Sequence, residues 1–163
     1  MTRVGIMSDS HGLVPSQIYS FFEDVDLILH AGDIGTSEVL SELQAYKKTI
    51  AVCGNIDSKY EFVSIKDTEI FFIEQVKIFL THIGGYPSRY ALGIKKYLQI
   101  QKPDAFICGH SHICKVMFDD ELKLLHINPG ACGRRGIHTK CTLIKLEIDG
   151  ARMKNLDVLE YDK

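Results

Sequence analysis

Met7-Ser8-Asp9-Ser10-His11-Gly12 follows an apolar run, Val4 to Met7, and closes on a glycine. A buried strand that stops this way delivers polar side chains to the edge of a sheet. Asp9 and His11 stand two apart, so in a continued strand they share a side. A carboxylate and an imidazole facing one space make a poor core and a good start for a metal site. Four other strand ends carry matching groups: Gly32-Asp33, Gly54-Asn55, His82 and Gly109-His110-Ser111-His112. The expectation is that all five segments converge on one pocket that holds two divalent cations.

Outward from that stretch, the first third repeats strand, loop and helix. Ser16 to Asp24 carries Ile18, Tyr19, Phe21 and Phe22, a short amphipathic helix, and Leu27 to His30 is a second strand. Ser37 to Tyr46 is a helix with Val39, Leu40 and Leu43 on one face and Ser37 placed to cap it. Thr49 to Cys53 is a third strand. The repeat predicts parallel strands, and in such sheets ligands gather beyond the carboxyl ends, where the polar breaks lie.

The middle changes character. Phe62 to Ile65, Ile70 to Glu74 and Val76 to Leu80 read as short antiparallel strands. Ser88 to Gln101 reads as a helix ended by Lys102-Pro103. Ala105 to Cys108 is a buried strand, and Val116 to Phe118, Leu122 to Ile127 and Leu143 to Ile148 continue as strands. Ala151 to Leu159 pairs back across Asp149-Gly150, a hairpin signal. The predicted fold is α/β: two mixed β-sheets packed face to face as a sandwich flanked by helices, four layers in the order αββα. A single domain is expected over residues 1–163.

The bulk numbers exclude several classes. Net charge is −2, which gives no general pull toward nucleic acid or membranes. The longest apolar stretches are strand-length, short of the roughly 20 residues that span a bilayer. The N-terminus enters a strand directly, without the apolar region of a signal peptide. The 5 cysteines include no C-x-x-C pair, so reduced thiols and a cytoplasmic setting are expected.

Taken singly, each candidate ligand has a plain alternative. Asp9 suits a turn and His11 a surface position. Asp33 suits a turn or a helix cap, Asn55 a left-handed turn, and His82 a structural role. His110 and His112, around one small residue after a buried strand, have a metal-type spacing. The set is more specific than its parts. Carboxylates, imidazoles and one amide suit manganese, iron, nickel, cobalt or zinc better than calcium or magnesium alone.

The chain resembles the calcineurin-like metallophosphoesterases, and within them the small single-domain bacterial and archaeal phosphodiesterase branch. The blocks that carry the resemblance are Ser8-Asp-Ser-His-Gly12, His30-Ala-Gly-Asp33, Gly54-Asn-Ile-Asp57, Thr81-His82, Gly109-His-Ser-His112 and Asn128-Pro-Gly130. They come in the family's order and run over nearly the whole chain. The resemblance implies that Asp9, His11 and His112 hold one cation, that Asn55, His82 and His110 hold the other, and that Asp33 bridges them. Asp33, Asn55, His82 and His110 are then the groups nearest the chemistry.

It further implies a metal-dependent phosphoesterase, a phosphodiesterase before a monoesterase, with two divalent ions, manganese first and nickel, iron, cobalt or zinc as alternatives. Metals roughly 3.5–4 Å apart acidify a shared, bridging water, and the resulting hydroxide attacks phosphorus in line with the leaving alcohol. Two dications, two carboxylates and one hydroxide leave a net positive site that attracts a phosphate ester. The expected partner is a small phosphate ester, nucleotide-derived esters included, with association into homo-oligomers left open.

One departure stands out. Larger relatives carry Gly-Asn-His-Glu where this chain has Gly54-Asn-Ile-Asp57, and Ile56 can neither protonate a leaving group nor bind phosphate. Asp57 either orients a ligand from behind or caps a turn. Arg89 and Arg134 are candidate phosphate contacts beside Asn55, each with a solvated alternative, Arg89 as an exposed arginine in a first helical turn and Arg134 in a glycine-flanked loop. Tyr86 could frame substrate, and His30 reads as a buried supporting histidine. His126 and His138 stay unassigned.

A second reading keeps the fold and drops the catalysis. The eukaryotic retromer subunit that resembles this fold serves as a binding scaffold with its ligand set partly eroded. Here all seven positions carry competent residues. A β-lactamase-like metallohydrolase needs a tight H-x-H-x-D-H run, and the continuation Ile113-Cys114 breaks it.

Overall fold

A computed structural model describes residues 1–163. The chain runs β1 (Thr2–Met7), α1 (Gln17–Phe21), β2 (Leu27–His30), α2 (Ser37–Tyr46), β3 (Lys48–Ala51), β4 (Thr68–Ile73), β5 (Val76–Thr81), β6 (Gly85–Tyr86), β7 (Arg89–Tyr90), α3 (Ile94–Gln101), β8 (Ala105–Ile107), β9 (Cys114–Asp119), β10 (Leu124–Pro129), β11 (Lys140–Asp149) and β12 (Arg152–Asp162). Two five-stranded mixed sheets result, in the orders β12-β11-β1-β2-β3 and β4-β5-β8-β10-β9. β1, β2 and β3 are mutually parallel, as are β5, β8 and β10, while β11, β12, β4 and β9 are antiparallel additions.

The central strands β1, β2, β5, β8 and β10 are buried on both faces, which is why they are apolar runs rather than alternating ones, while the edge strands β4, β9 and β12 keep an open face. Val4, Ile6, Leu29 and Leu146 of the first sheet meet Ile78, Leu80, Ile107 and Ile127 of the second in the central core. Met7, Ile28 and Ala51 face outward, where Ile18 and Phe22 of the first helical segment and Val39 and Leu43 of α2 cover them. Leu98 of α3 packs on Phe79, Phe106 and Leu124 outside the second sheet. The layers are therefore αββα, as the sequence pattern predicts. No helix is long and apolar enough to cross a membrane. All five cysteines are free thiols, and four of them are buried.

Several local expectations fail, each for a physical reason. Residues 62–65 form no strand. Phe62 is turned into the core beneath α2 while Val63 is 82% exposed, and the segment is closed by turn bonds from Phe62 N–H to Ser58 O and Ile65 N–H to Phe62 O. The helix expected from Ser88 begins only at Ile94, because Gly93 takes φ 82°. Arg89 lies instead in a two-residue strand paired with Tyr86. Thr36 occupies the N-cap of α2 without a side-chain cap bond, and the Ser37 N–H donates to Glu61 Oε1 at 2.6 Å. In the last hairpin Asp149 pairs with Arg152, so Gly150-Ala151 makes the turn.

Candidate metal centre

The five polar segments all lie beyond the carboxyl ends of β1, β2, β3, β5 and β8, where the two sheets meet. Backbone bonds tie them to one another after the strands have ended. Asp9 N–H donates to Gly32 O at 2.9 Å, His11 N–H to Asp33 O at 3.0 Å, and Gly109 N–H to His82 O at 2.9 Å. Asp9 and His11 do not continue β1. Their φ values are 56° and 49°, and Asp33 (54°), His110 (71°) and His112 (60°) are also left-handed. Asp and His enter this region more readily than most residues, at a local cost of about 1–3 kcal/mol. Five strained residues in one cleft show a backbone bent to aim side chains.

The side chains form two clusters. Asp9, His11 and His112 bring one donor atom each within 4.8 Å of one another, and so do Asp33, His82 and His110. His112 Nε2 lies 3.2 Å from Asp9 Oδ1 and 3.3 Å from His11 Nε2. Asp33 stands between the clusters. Its Oδ1 is 3.2 Å from His82 Nε2, and its Oδ2 is 3.8 Å from His11 Nε2. Asn55 Oδ1 lies 3.0 Å from His82 Nε2, which places the amide beside the second cluster. Gly54 permits this approach, since a Cβ there would overlap the Asp33 backbone and carboxylate.

The electrostatics call for a cation. Asp9 is 0% and Asp33 3% exposed, and the only ion pairs either makes are with imidazoles. A buried carboxylate without a cationic partner costs several kcal/mol. Asp9 Oδ1 is buried with no hydrogen bond at all. Burial opposes ionisation of Asp33, yet the hydrogen bond and charge of His82, with the Ile56 N–H, hold its carboxyl below the usual value. Burial draws His82 down, but its bond to Asp33 and the charges of Asp9 and Asp33 leave it raised overall. Burial keeps His11 below its ordinary value. This donor set, two buried carboxylates ringed by imidazole nitrogens, one of them with an oxygen that nothing in the chain satisfies, fits divalent metal.

Supporting residues complete the cleft. Asp57 accepts three backbone N–H bonds, from Ile34 (3.0 Å), Gly35 (2.8 Å) and Gly54 (2.7 Å), so one carboxylate locks the Asp33 loop to the Asn55 loop. Asn128 Nδ2 donates to Gly109 O at 2.9 Å and to Ser111 Oγ at 3.1 Å, holding the loop that carries His110 and His112. Neither bond is legible from spacing, although Asn128 and Asp57 fall in blocks the sequence singles out. His30 is fully buried; it accepts from Gly32 N–H through Nδ1 at 3.2 Å and meets Ser10 Oγ through Nε2 at 2.9 Å. His126 Nε2 donates to Gly85 O at 2.9 Å, away from both clusters.

Arg89 lines a cleft of about 250 Å³ together with Tyr86, His110, Ser111 and Asn128. Asn55, His82 and Lys59 line a second, of about 460 Å³, on the other side. Arg134 is exposed, and its charge acts on Cys141 and Tyr161; it is Arg135 whose charge reaches His11.

Comparison with known proteins agrees with this geometry. A probable metallophosphoesterase from Methanothermobacter thermautotrophicus is 30% identical over 156 residues, covering 92% of this chain and 88% of the relative. A solved structure described as a novel archaeal phosphodiesterase superposes with a TM-score of 0.75 at 26% identity, covering 96% of this chain and 99% of that one. Vps29 from Entamoeba histolytica, solved in complex with zinc, shares the fold with a TM-score of 0.75 at 18% identity over 98% of both chains. The pattern of the calcineurin-like phosphoesterase superfamily domain matches residues 2–151. With that match across the two sheets and every strand end of the cleft, the chain belongs to the calcineurin-like phosphoesterase superfamily.

Proposed function

We propose that this protein is a binuclear metal-dependent phosphodiesterase. The observation that carries the reading is the position of Asp33, whose two carboxylate oxygens face two separate donor clusters. Asp9, His11 and His112 would hold one ion, Asn55, His82 and His110 the other, and Asp33 would serve both. When bound there, two divalent ions, manganese first among the candidates, would supply Lewis-acid activation of water and of the ester.

The chain's own groups do the rest. His82 donates its Nδ1–H to Ala31 O at 2.7 Å, so in the neutral imidazole that binds metal the lone pair falls on Nε2, aimed into the site. Asn55 presents its amide to the larger cleft, where one arm of a diester lies. His110 is exposed at the mouth, beside the smaller cleft. Arg89 there meets a phosphoryl oxygen or a second phosphate, as in nucleotide-derived esters. The similarity to an archaeal phosphodiesterase supports diesters over monoesters as the substrate class.

The test is hydrolysis of bis(4-nitrophenyl) phosphate with added Mn²⁺, comparing wild type with Asp33→Ala and His110→Ala. Turnover in wild type and background rates in both variants are expected. Unchanged turnover in Asp33→Ala would remove the site from the chemistry. A wild-type protein that takes up both ions yet hydrolyses no diester would favour the second reading, a metal-retaining scaffold of the same fold.

A further inference from the structure

His138 sits half-buried in the loop between β10 and β11, and no motif claims it. Its Nε2 lies 2.9 Å from Gly133 O. A carbonyl oxygen only accepts, so Nε2 carries the hydrogen. In a neutral imidazole the other nitrogen is then a lone pair. That nitrogen, His138 Nδ1, is 3.2 Å from His112 Nδ1. One of the pair must donate, and only His112 has a hydrogen to give. His112 is thereby held as the Nδ1–H tautomer, with the lone pair on Nε2. Nε2 is the atom that points at Asp9 Oδ1 and His11 Nε2.

The surroundings are shaped for this contact. The rings meet edge to face with centroids 5.0 Å apart. Gly136, at φ 118°, closes over the pair, and a Cβ there would press to 2.7 Å from His112 Cε1. The anchor of the relay is itself tied to the centre, because Gly133 N–H donates to Asp9 O at 3.1 Å. The loop therefore spans from the Asp9 backbone, through Gly133 and His138, to the back of His112.

We infer that His138 is a positioning residue that sets the tautomer and ring orientation of His112 for a cation held with Asp9 and His11. The inference rests on the proposed metal centre, but its first consequence is readable without metal. Long-range ¹H–¹⁵N spectra of the chelator-treated protein, with His112 assigned by its loss in His112→Gln, should show His112 hydrogenated at Nδ1. His138→Ala should lose that preference, and His138→Asn, whose Oδ1 accepts in the same place, should keep it. Calorimetric titration with Mn²⁺ should then show one of two sites weakened by about 10–100-fold in His138→Ala, the range typical of residues behind a ligand, and largely restored in His138→Asn. A wild-type His112 hydrogenated at Nε2, or unchanged affinity at both sites in His138→Ala, overturns the assignment. If wild type binds no Mn²⁺, the metal centre fails, while the spectra still decide the tautomer.

Discussion

Asn55 Oδ1 and His82 Nε2 face each other at 3.0 Å, and in a neutral His82 that gives its Nδ1–H to Ala31 O both atoms carry lone pairs. Two acceptors at that distance are stable only with positive charge between or beside them. The same holds for Asp33 Oδ1, 3.2 Å from the same nitrogen. A consequence follows for metal stoichiometry. Wild type should bind two Mn²⁺ per chain after chelation. His82→Ala should bind one, and Asp33→Ala, which serves both clusters, should bind neither at concentrations that saturate wild type. Equal stoichiometry in Asp33→Ala and His82→Ala would rule out the shared role of Asp33.

Asp57 supplies a second expectation. Its carboxylate satisfies three backbone N–H groups from two loops. Asp57→Ala strands these donors in a largely dry place, which costs on the order of 3 kcal/mol. For a chain of this size the melting temperature should drop by roughly 10 °C. Asp57→Asn keeps the shape but offers one acceptor oxygen instead of two, and should fall between. Mn²⁺ affinity should decline along with stability, because the Asp33 and Asn55 loops are the segments released. A variant that melts normally would leave Asp57 as an ordinary turn residue.

The strand ends were legible because a parallel strand buried on both faces must be apolar and must then stop abruptly. Val4 to Met7, Leu27 to Leu29 and Ala105 to Ile107 all do this. The polar groups that follow each break announce themselves by contrast. The supports behind them were not legible. Asp57 reaches Ile34 and Gly35 across 23 and 22 positions, and His138 reaches His112 across 26. Such contacts depend on where loops fold back, which periodicity does not encode. Phe62 and Val63 mislead for another reason: a β-rich pair signals a strand, but one apolar anchor in a turn needs no partner strand. Asp9 and His11 share a space as expected, though through left-handed backbone rather than strand alternation.

Acid should destabilise the protein through His30. Burial pushes this imidazole from its ordinary 6.5 down to about 4. The unfolded chain therefore takes up a proton at His30 from about pH 6.5, and the folded chain resists until near pH 4. Between these values the unfolded state binds more protons, so stability falls as pH falls. The full window amounts to about 3 kcal/mol. Urea unfolding at pH 7, 5.5 and 4 should show that loss in wild type. His30→Gln lowers stability at every pH but should remove this part of the pH slope. Parallel slopes in the two proteins would place the acid sensitivity elsewhere.

Ile56 sets the expected reactivity. Its backbone N–H donates to Asp33 Oδ1 at 3.2 Å, while its side chain is 42% exposed beside the cleft and offers no proton. Larger relatives resembled by this block carry an imidazole at the same place. A leaving alkoxide must then depart without a side-chain acid from this position, so good leaving groups should react far faster than poor ones. Across a series of phosphodiesters from nitrophenyl to alkyl esters, the rate should fall steeply with leaving-group pKa. Ile56→His restores a candidate acid without disturbing the backbone bond. General acid catalysis is worth about 10²–10⁴-fold, so a gain of about 100-fold is expected for alkyl esters and little change for nitrophenyl esters. The slope against leaving-group pKa should flatten accordingly. A flat dependence already present in wild type would mean that another group, with His110 at the mouth the first to test, delivers the proton.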